Sequence, residues 1–315
     1  MDWRYFSKDK LKNDYYIKDQ YFNLSQELGT SLMGSTFLEK ISKFALVMIK
    51  PESFVYNKYF IALQEIQRHG FKPVYFIQKK LTRVECLELW RYQWSAASLL
   101  RTLISEKLMS YSESLIIIYE APNNIEEFAS TYLSKLKGPA NESLRKEYHL
   151  RSILKPKNRM LNYIHISDEP IDVVREIGVL FEWDQQIGIY SALNHSKNTS
   201  NDELIKYIQS NNDNINKFNF SKDSYELLKE FKDDILLKSE KSLNNKEAIS
   251  NIITQIDATL SNESKLDFSF FNNLKKLGLL KWNWELIFLA TSFINYDSNK
   301  EKLISFDINK NSIEN

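Results

Sequence analysis

Asn162-Tyr-Ile-His165-Ile-Ser167-Asp168 puts an imidazole in a short apolar run, and Glu176-Ile-Gly178 follows eleven residues after the histidine. A histidine presented by a strand, with a carboxylate on the next helix to hold its ring, is an arrangement that makes imidazole a nucleophile. Far upstream, Met48-Ile-Lys50-Pro51 ends another apolar run in an ammonium able to meet a phosphate brought to that histidine. His165, Glu176 and Lys50 are therefore the candidate catalytic residues. Each has a plainer alternative. A lone strand histidine is more often a satisfied core residue, Glu176 alone is an ordinary helix carboxylate, and Lys50-Pro51 also suits a strand end before a helix, where proline favours the first turn.

Those residues need strands and helices to position them. Phe44–Ile49, Val74–Ile77, Leu115–Tyr119 and the His165 segment have the length and composition of buried strands. Between them, helices are expected over 54–68, stopping at His69-Gly70, twice over 83–108, and over 125–136, before a turn at Gly138-Pro139 and a basic loop from Lys155 to Arg159. Trp90 and Trp94 read as helix packing in preference to a platform for a base. The order β-α-β-α-β-α-β predicts an α+β fold with the ferredoxin-like, split β-α-β layout, one sheet with helices on a face.

Composition bounds the rest. The chain has 315 residues, with Lys+Arg 42 against Asp+Glu 41, so no net field collects nucleic acid or anionic membrane, and binding must come from a local site. The strands also lack the alternating aromatics that stack RNA bases. The single cysteine, Cys86, excludes an internal disulfide and a cysteine-based zinc site. No run of eighteen apolar residues appears, and Met1-Asp-Trp-Arg-Tyr lacks a signal-peptide core, so a cytoplasmic protein without membrane association is expected. Gly 7 and Pro 6 are few for this length and favour a helix-rich chain.

Along the chain, residues 1–43 read as a polar, aromatic lead-in with a short helix from Leu24 to Phe44 interrupted by Gly29 and Gly34. Residues 44–184 form the α+β domain. A linker follows over 185–216, Asn- and Ser-rich from 195, with His195 exposed in it. Residues 217–315 form a small all-α domain, helical over 221–239, 246–260, 268–280 and 283–294, without a chemical motif but suited to a protein partner.

Order and spacing together bring a family into view: residues 44 to 183 resemble the nucleoside diphosphate kinases, in particular their divergent members. The family's Met-Ile-Lys-Pro stands as Met48-Ile-Lys50-Pro51, its Asn-x-x-His-x-Ser-Asp as Asn162 to Asp168, and its Glu-Ile-Gly as Glu176-Ile-Gly178. Ser143-Leu-Arg145-Lys-Glu-Tyr148 looks like the Ser-Leu-Arg segment of divergent members, after the turn at Gly138-Pro139. The resemblance implies a ping-pong phosphotransferase. The γ-phosphate of ATP or another nucleoside triphosphate would pass through a phosphohistidine at His165 to a nucleoside diphosphate or a specialised acceptor. Glu176 would orient the ring, with Ser167 seating the carboxylate; Lys50 and Arg145 would neutralise the phosphates; Asn162, and again Lys50, would reach the sugar hydroxyl. Mg²⁺ would arrive on the nucleotide, not in a protein cage, and a homo-oligomer is implied unless the C-terminal appendage blocks its surfaces.

Departures from the family pattern bear on the same site. Ile166 replaces the family's glycine, which predicts a branched side chain crowding the ring. The second phosphate-binding arginine has Ser130 or Thr131 in its place. The family's tyrosine and base-stacking phenylalanine have no clear counterpart among Tyr92, Trp94 and Leu99. An insertion between Arg145 and Asn162 brings Arg151, Lys155, Lys157 and Arg159, of which Arg151 and Arg159 are added to the phosphate-binding candidates. Rival readings are nucleotidyl transfer, phosphorylation of a metabolite or protein, and a catalytically dead protein acting through partner binding.

Overall fold

The computed structural model describes residues 3–7, 9–195, 199–211, 223–239 and 245–304. Four strands, β1 (Phe44–Ile49), β2 (Lys72–Lys79), β3 (Ser114–Glu120) and β4 (Ile164–Ile166), pair antiparallel in the order β2-β3-β1-β4. Helices α1 (Lys10–Tyr16), α2 (Gln20–Met33) and α3 (Phe37–Ile41) precede the sheet. Between its strands lie α4 (Pro51–Val55), α5 (Tyr59–Arg68), α6 (Arg83–Leu89), α7 (Leu99–Tyr111), α8 (Ala129–Lys137) and α9 (Leu150–Leu154). After it come α10 (Pro170–Leu180), α11 (Trp183–Asn194), α12 (Asn201–Asn211), α13 (Ser224–Ser239), α14 (Lys246–Leu260), α15 (Phe268–Lys276) and α16 (Trp284–Phe293).

Helices cover both faces of the sheet, where one covered face was expected. The reason lies in the strands: every residue of β1 is apolar and buried, and strand side chains alternate between faces. Phe44, Leu46 and Met48 therefore point to one core, shared with Val174 and Ile177 of α10, Phe22 of α2, and Ile104 and Leu108 of α7. Ala45, Val47 and Ile49 point to the other, shared with Ile66 of α5, Leu133 of α8, Leu150 and Leu154 of α9. Leaving either face in water would forgo about 25 cal/mol for each Å² of apolar surface.

The N-terminal segment is not a lead-in with one helix over 24–44. Asp9 and Asp19 cap two separate helices, their carboxylates accepting from the amides of Leu11 and Phe22. These helices pack on α10 through a buried polar network. The Arg175 guanidinium reaches Asp19 at 2.8 Å and lies over the rings of Tyr16 and Tyr92, while Lys12 joins Glu169 and Asp172 at 2.8 and 2.7 Å. Gly178 marks the closest approach: a Cβ there would collide with the backbone carbonyl of Tyr21.

Much of the expected linker is helical. Residues 185–194 belong to α11 and 201–211 form α12, while 196–198 and 212–216 lie outside the described residues. The Asn-rich composition conceals Leu204 and Ile208, four apart and buried on the second core. Tyr207 of α12 accepts the Gln78 amide at 2.9 Å, so edge strand β2 is covered. The four helices patterned in the C-terminal third form as α13 to α16; residues 217–222, 240–244 and 305–315 lie outside the described residues. Ile252, Phe270 and Ile287 from these helices join the same contiguous apolar cluster as Leu46 and Met48. Among the described residues no helix is long and apolar enough to cross a membrane.

Candidate active site

The short strand β4 holds His165 in register opposite Met48 of β1 while Ile164 and Ile166 sink into the second core. Alternation thus overturns the expected crowding by Ile166: its side chain lies on the opposite face of the sheet from the imidazole, packed with Val47. His165 keeps 17% of its side-chain surface exposed. Its Nε2 lies 3.0 Å from Oε1 of Glu176, and the Ser167 hydroxyl donates to Oε2 of the same carboxylate at 2.6 Å. A carboxylate accepts only, so in the neutral ring the proton sits on Nε2 and the lone pair on Nδ1. Trp90 packs edge-on to the ring, centroids 5.6 Å apart.

The far end of β4 is anchored through Asp168. Its carboxylate accepts from Ser134 and from Lys137, whose ammonium also donates to the Ile166 carbonyl at 2.9 Å. Burial opposes the charge on Asp168, yet the Lys137 and Lys12 ammoniums and these hydrogen bonds hold its carboxyl well below the usual range.

Lys50 ends β1 in an extended conformation, ahead of Pro51 at the start of α4. Its ammonium donates to the Met160 carbonyl at 2.7 Å and Asn162 Oδ1 at 3.2 Å, and pairs with fully buried Glu52 at 2.9 Å. Burial lowers the Lys50 pKa, with Glu52 opposing. Three acceptors use the three N–H directions of the ammonium, so Lys50 fixes the 160–162 turn as well as charging the site. Tyr163, in the left-handed region at φ 68°, completes this junction. Its carbonyl accepts from the Lys50 amide at 2.9 Å and the Ser53 hydroxyl at 2.6 Å, and its amide donates to Glu52 at 3.1 Å.

These elements enclose a cavity of about 190 Å³ lined by His165, Lys50, Asn162, Trp90, Trp94, Arg101, Arg151, Arg159 and Lys302, with Gln93, Ser105 and apolar atoms between. Five cations line it, and the carboxylates that pair with Lys50, Arg101 and Arg159, those of Glu52 and Asp297, stand outside the lining, so the surface turned to the cavity favours a polyanion. Arg151 donates to the carbonyls of Gly138 and Ile164 at 2.7 and 3.2 Å; burial, then the nearby charge of Arg145, brings its pKa down to about 10.

Of the residues expected from sequence, His165, Lys50, Asn162, Arg151 and Arg159 line this cavity, and Glu176 and Ser167 stand behind the histidine. Arg145 does not line it. Its guanidinium donates to the carbonyls of Pro139 and Ala140 at 3.1 and 2.7 Å, closing its own loop. Ser130 and Thr131 are buried in α8, and Lys157 lies over the Tyr56 ring. Tyr92 is buried with its hydroxyl on Asp19, and Leu99 is exposed. Trp90, at the end of α6, and Trp94, in the turn after it, pack edge-on against each other and both face the cavity. Sequence reading missed Arg101 and Lys302. Arg101 had a weak signal, a cation three residues after the helix-capping Ser98; Lys302, 137 positions beyond His165, had none.

Among the described residues no group of three or more His, Cys, Asp or Glu side chains is placed to hold a metal ion. The cationic lining fits phosphates, and Mg²⁺ is a cation usually bound through substrate phosphates with few protein ligands.

No family model matches the chain, and no curated protein matches it. Among solved structures it is similar to the Aquifex aeolicus nucleoside diphosphate kinase, at 18% identity and TM-score 0.38 over 45% of this chain and 96% of that one. It is similar also to an NDP kinase from Pyrobaculum aerophilum, at 14% identity and TM-score 0.38 over 46% of this chain and 98% of the other. A third likeness is to the nucleoside diphosphate kinase from Encephalitozoon cuniculi, at 17% identity and TM-score 0.38 over 45% of this chain and 90% of that protein.

Proposed function

We propose that the protein is a nucleotide-dependent phosphotransferase working through a phosphohistidine at His165. The observation that carries this reading is the braced ring: Glu176 takes Nε2 at 3.0 Å, leaving Nδ1 as the nucleophilic atom beside a cavity of five cations. The Nδ1 lone pair forms the bond to the γ-phosphorus as the P–O bond to the β-phosphate breaks, and the departing diphosphate takes that electron pair. Glu176 offsets the positive charge the ring acquires, and Ser167 keeps the carboxylate in place. Arg101, Arg151, Arg159, Lys50 and Lys302 stabilise the phosphate chain, since phosphoryl transfer rests mainly on positioning and electrostatics. Mg²⁺ carried on the nucleotide would add its charge to theirs. In the second half-reaction an oxygen of a diphosphate or a specialised acceptor attacks phosphorus and the P–N bond breaks, restoring the lone pair.

Incubation with γ-labelled ATP and Mg²⁺ tests this. Acid-labile label is expected on the native chain and absent from His165→Gln, and the adduct mass distinguishes phosphoryl from nucleotidyl transfer. A nucleotide-binding protein without turnover is the second reading. It is favoured by Arg145 being tied to its own loop and by the saturated Lys50 ammonium, and it predicts nucleotide binding indifferent to His165→Ala with no label.

A further inference from the structure

The segment 294–304 forms a strap beside the cavity and lines it through Lys302. Its backbone is stitched to the turn before α7: the Ser98 amide donates to the Tyr296 carbonyl at 2.9 Å, the Ser298 amide to Ala96 at 2.8 Å, and the Leu303 amide to Tyr92 at 3.1 Å. From its middle, Asp297 reaches two of the cavity's guanidiniums at once. Oδ1 lies 3.1 Å from Arg101 and Oδ2 lies 2.7 Å from Arg159, with a further Arg159 contact at 3.4 Å. Arg159 also lies over the Tyr296 ring.

Two guanidiniums bridged by one carboxylate are a fork geometry that equally suits a phosphate. Without Asp297 they would be like charges side by side; burial and then Arg159 depress the Arg101 pKa while Asp297 raises it. The carboxylate itself is about half exposed, so it is held by these contacts and not by burial. Size points the same way: about 190 Å³ is small beside the roughly 300–1,000 Å³ of ordinary ligand pockets, and movement of the strap would carry Lys302 out of the lining and free the two guanidiniums.

We propose that Arg101 and Arg159 form an anion subsite for linked phosphates, and that Asp297 is an internal stand-in that such a ligand displaces, so the site admits polyphosphate chains over single phosphates. Orthophosphate engages one point of the cavity and leaves the Asp297 bridge in place; a triphosphate spans to the guanidinium pair and exchanges with the carboxylate. The ligand class rests on the phosphotransfer reading above, but the subsite requires binding alone.

The test is equilibrium titration of the full chain with inorganic triphosphate and with orthophosphate at low salt. Asp297→Asn should bind triphosphate roughly tenfold tighter than the native chain, with a much smaller change for orthophosphate, and adding Arg101→Gln and Arg159→Gln should abolish the gain. In the native chain, triphosphate should speed hydrogen exchange at the Ser298 and Leu303 amides as the strap lifts, a readout that needs no variant to fold. Unchanged or weaker triphosphate binding by folded Asp297→Asn, equal gains for both anions, or slower exchange at those amides on binding would each overturn the proposal. Assaying the native chain for phosphohistidine beside this titration separates the two ideas: an Asp297 effect with no phosphohistidine on the native chain sinks the transfer reading alone, and phosphohistidine on the native chain with no Asp297 effect sinks the subsite alone.

Discussion

Oε1 of Glu176 and Nε2 of His165 stand 3.0 Å apart, a contact between α10 and β4 that decides which ring nitrogen is free to react. The Ser167 hydroxyl holds the other carboxylate oxygen, so the pair is oriented from a third point. Glu176→Gln keeps the size but offers an amide that no longer compensates a cationic ring. Phosphohistidine formation should fall roughly ten- to a hundredfold, as for other groups that act by orienting a reacting ligand. Ser167→Ala should cost less, of the order of one hydrogen bond, about 1 kcal/mol. Rapid quench with γ-labelled ATP measures both, and an unaffected Glu176→Gln would remove the brace from the mechanism.

Lys50 has a second role behind the cavity. Its partner Glu52 is fully buried, so Lys50→Met strands a carboxylate and should destabilise the fold by about 3–5 kcal/mol. Lys50→Met with Glu52→Gln should recover most of that loss, because no unpaired charge remains. Urea unfolding of the two variants checks the pair, and equal stabilities would contradict the assignment.

Gly178 predicts a backbone effect at the contact between α10 and α2. Alanine there drives a methyl into the Tyr21 carbonyl of α2, and neither backbone can swing aside as a side chain would. A loss of about 1–3 kcal/mol is expected, read as a lowered unfolding midpoint. Since α10 also carries Glu176, the variant should further slow phosphohistidine formation in its folded fraction.

Alkaline pH should weaken the fold through Cys86. Burial, helped by the charge of Glu106, pushes this thiol from 9.0 up to about 12. The raised value means the native state holds a proton the unfolded chain has lost between those limits. Stability from this group is complete below pH 9 and declines by about 1.4 kcal/mol per pH unit as pH rises toward 12. Cys86→Ala should flatten that part of the denaturation profile, and iodoacetamide at pH 8 should modify the native thiol far more slowly than the unfolded one.

Particular residues show where sequence was legible. The strand of His165 was readable because its composition and its distance to Glu176 are local properties, and so were the Lys50-Pro51 strand end and the helices of the C-terminal third. Ile166 stands next to His165 in sequence but not in space, since a strand turns neighbours to opposite faces. Arg145 was misplaced because a motif position says nothing of the loop carbonyls that can claim a guanidinium. Arg101, Lys302 and Asp297 escaped because each depends on a contact across more than a hundred residues or on a helix start with no distinctive spacing.

By itself, then, the amino-acid order determined the local matters: which runs extend, which coil, and that an imidazole would be followed one helix later by a carboxylate in reach. Tertiary structure alone decided that helices close both faces of the sheet, that α1 and α2 lock onto α10, and that a late aspartate bridges two guanidiniums of the cationic cavity. The division has a physical cause. Propensity and periodicity act over a few bonds and can be read along the chain, whereas burial and charge pairing depend on which distant surfaces meet, and that is settled only when the whole core packs.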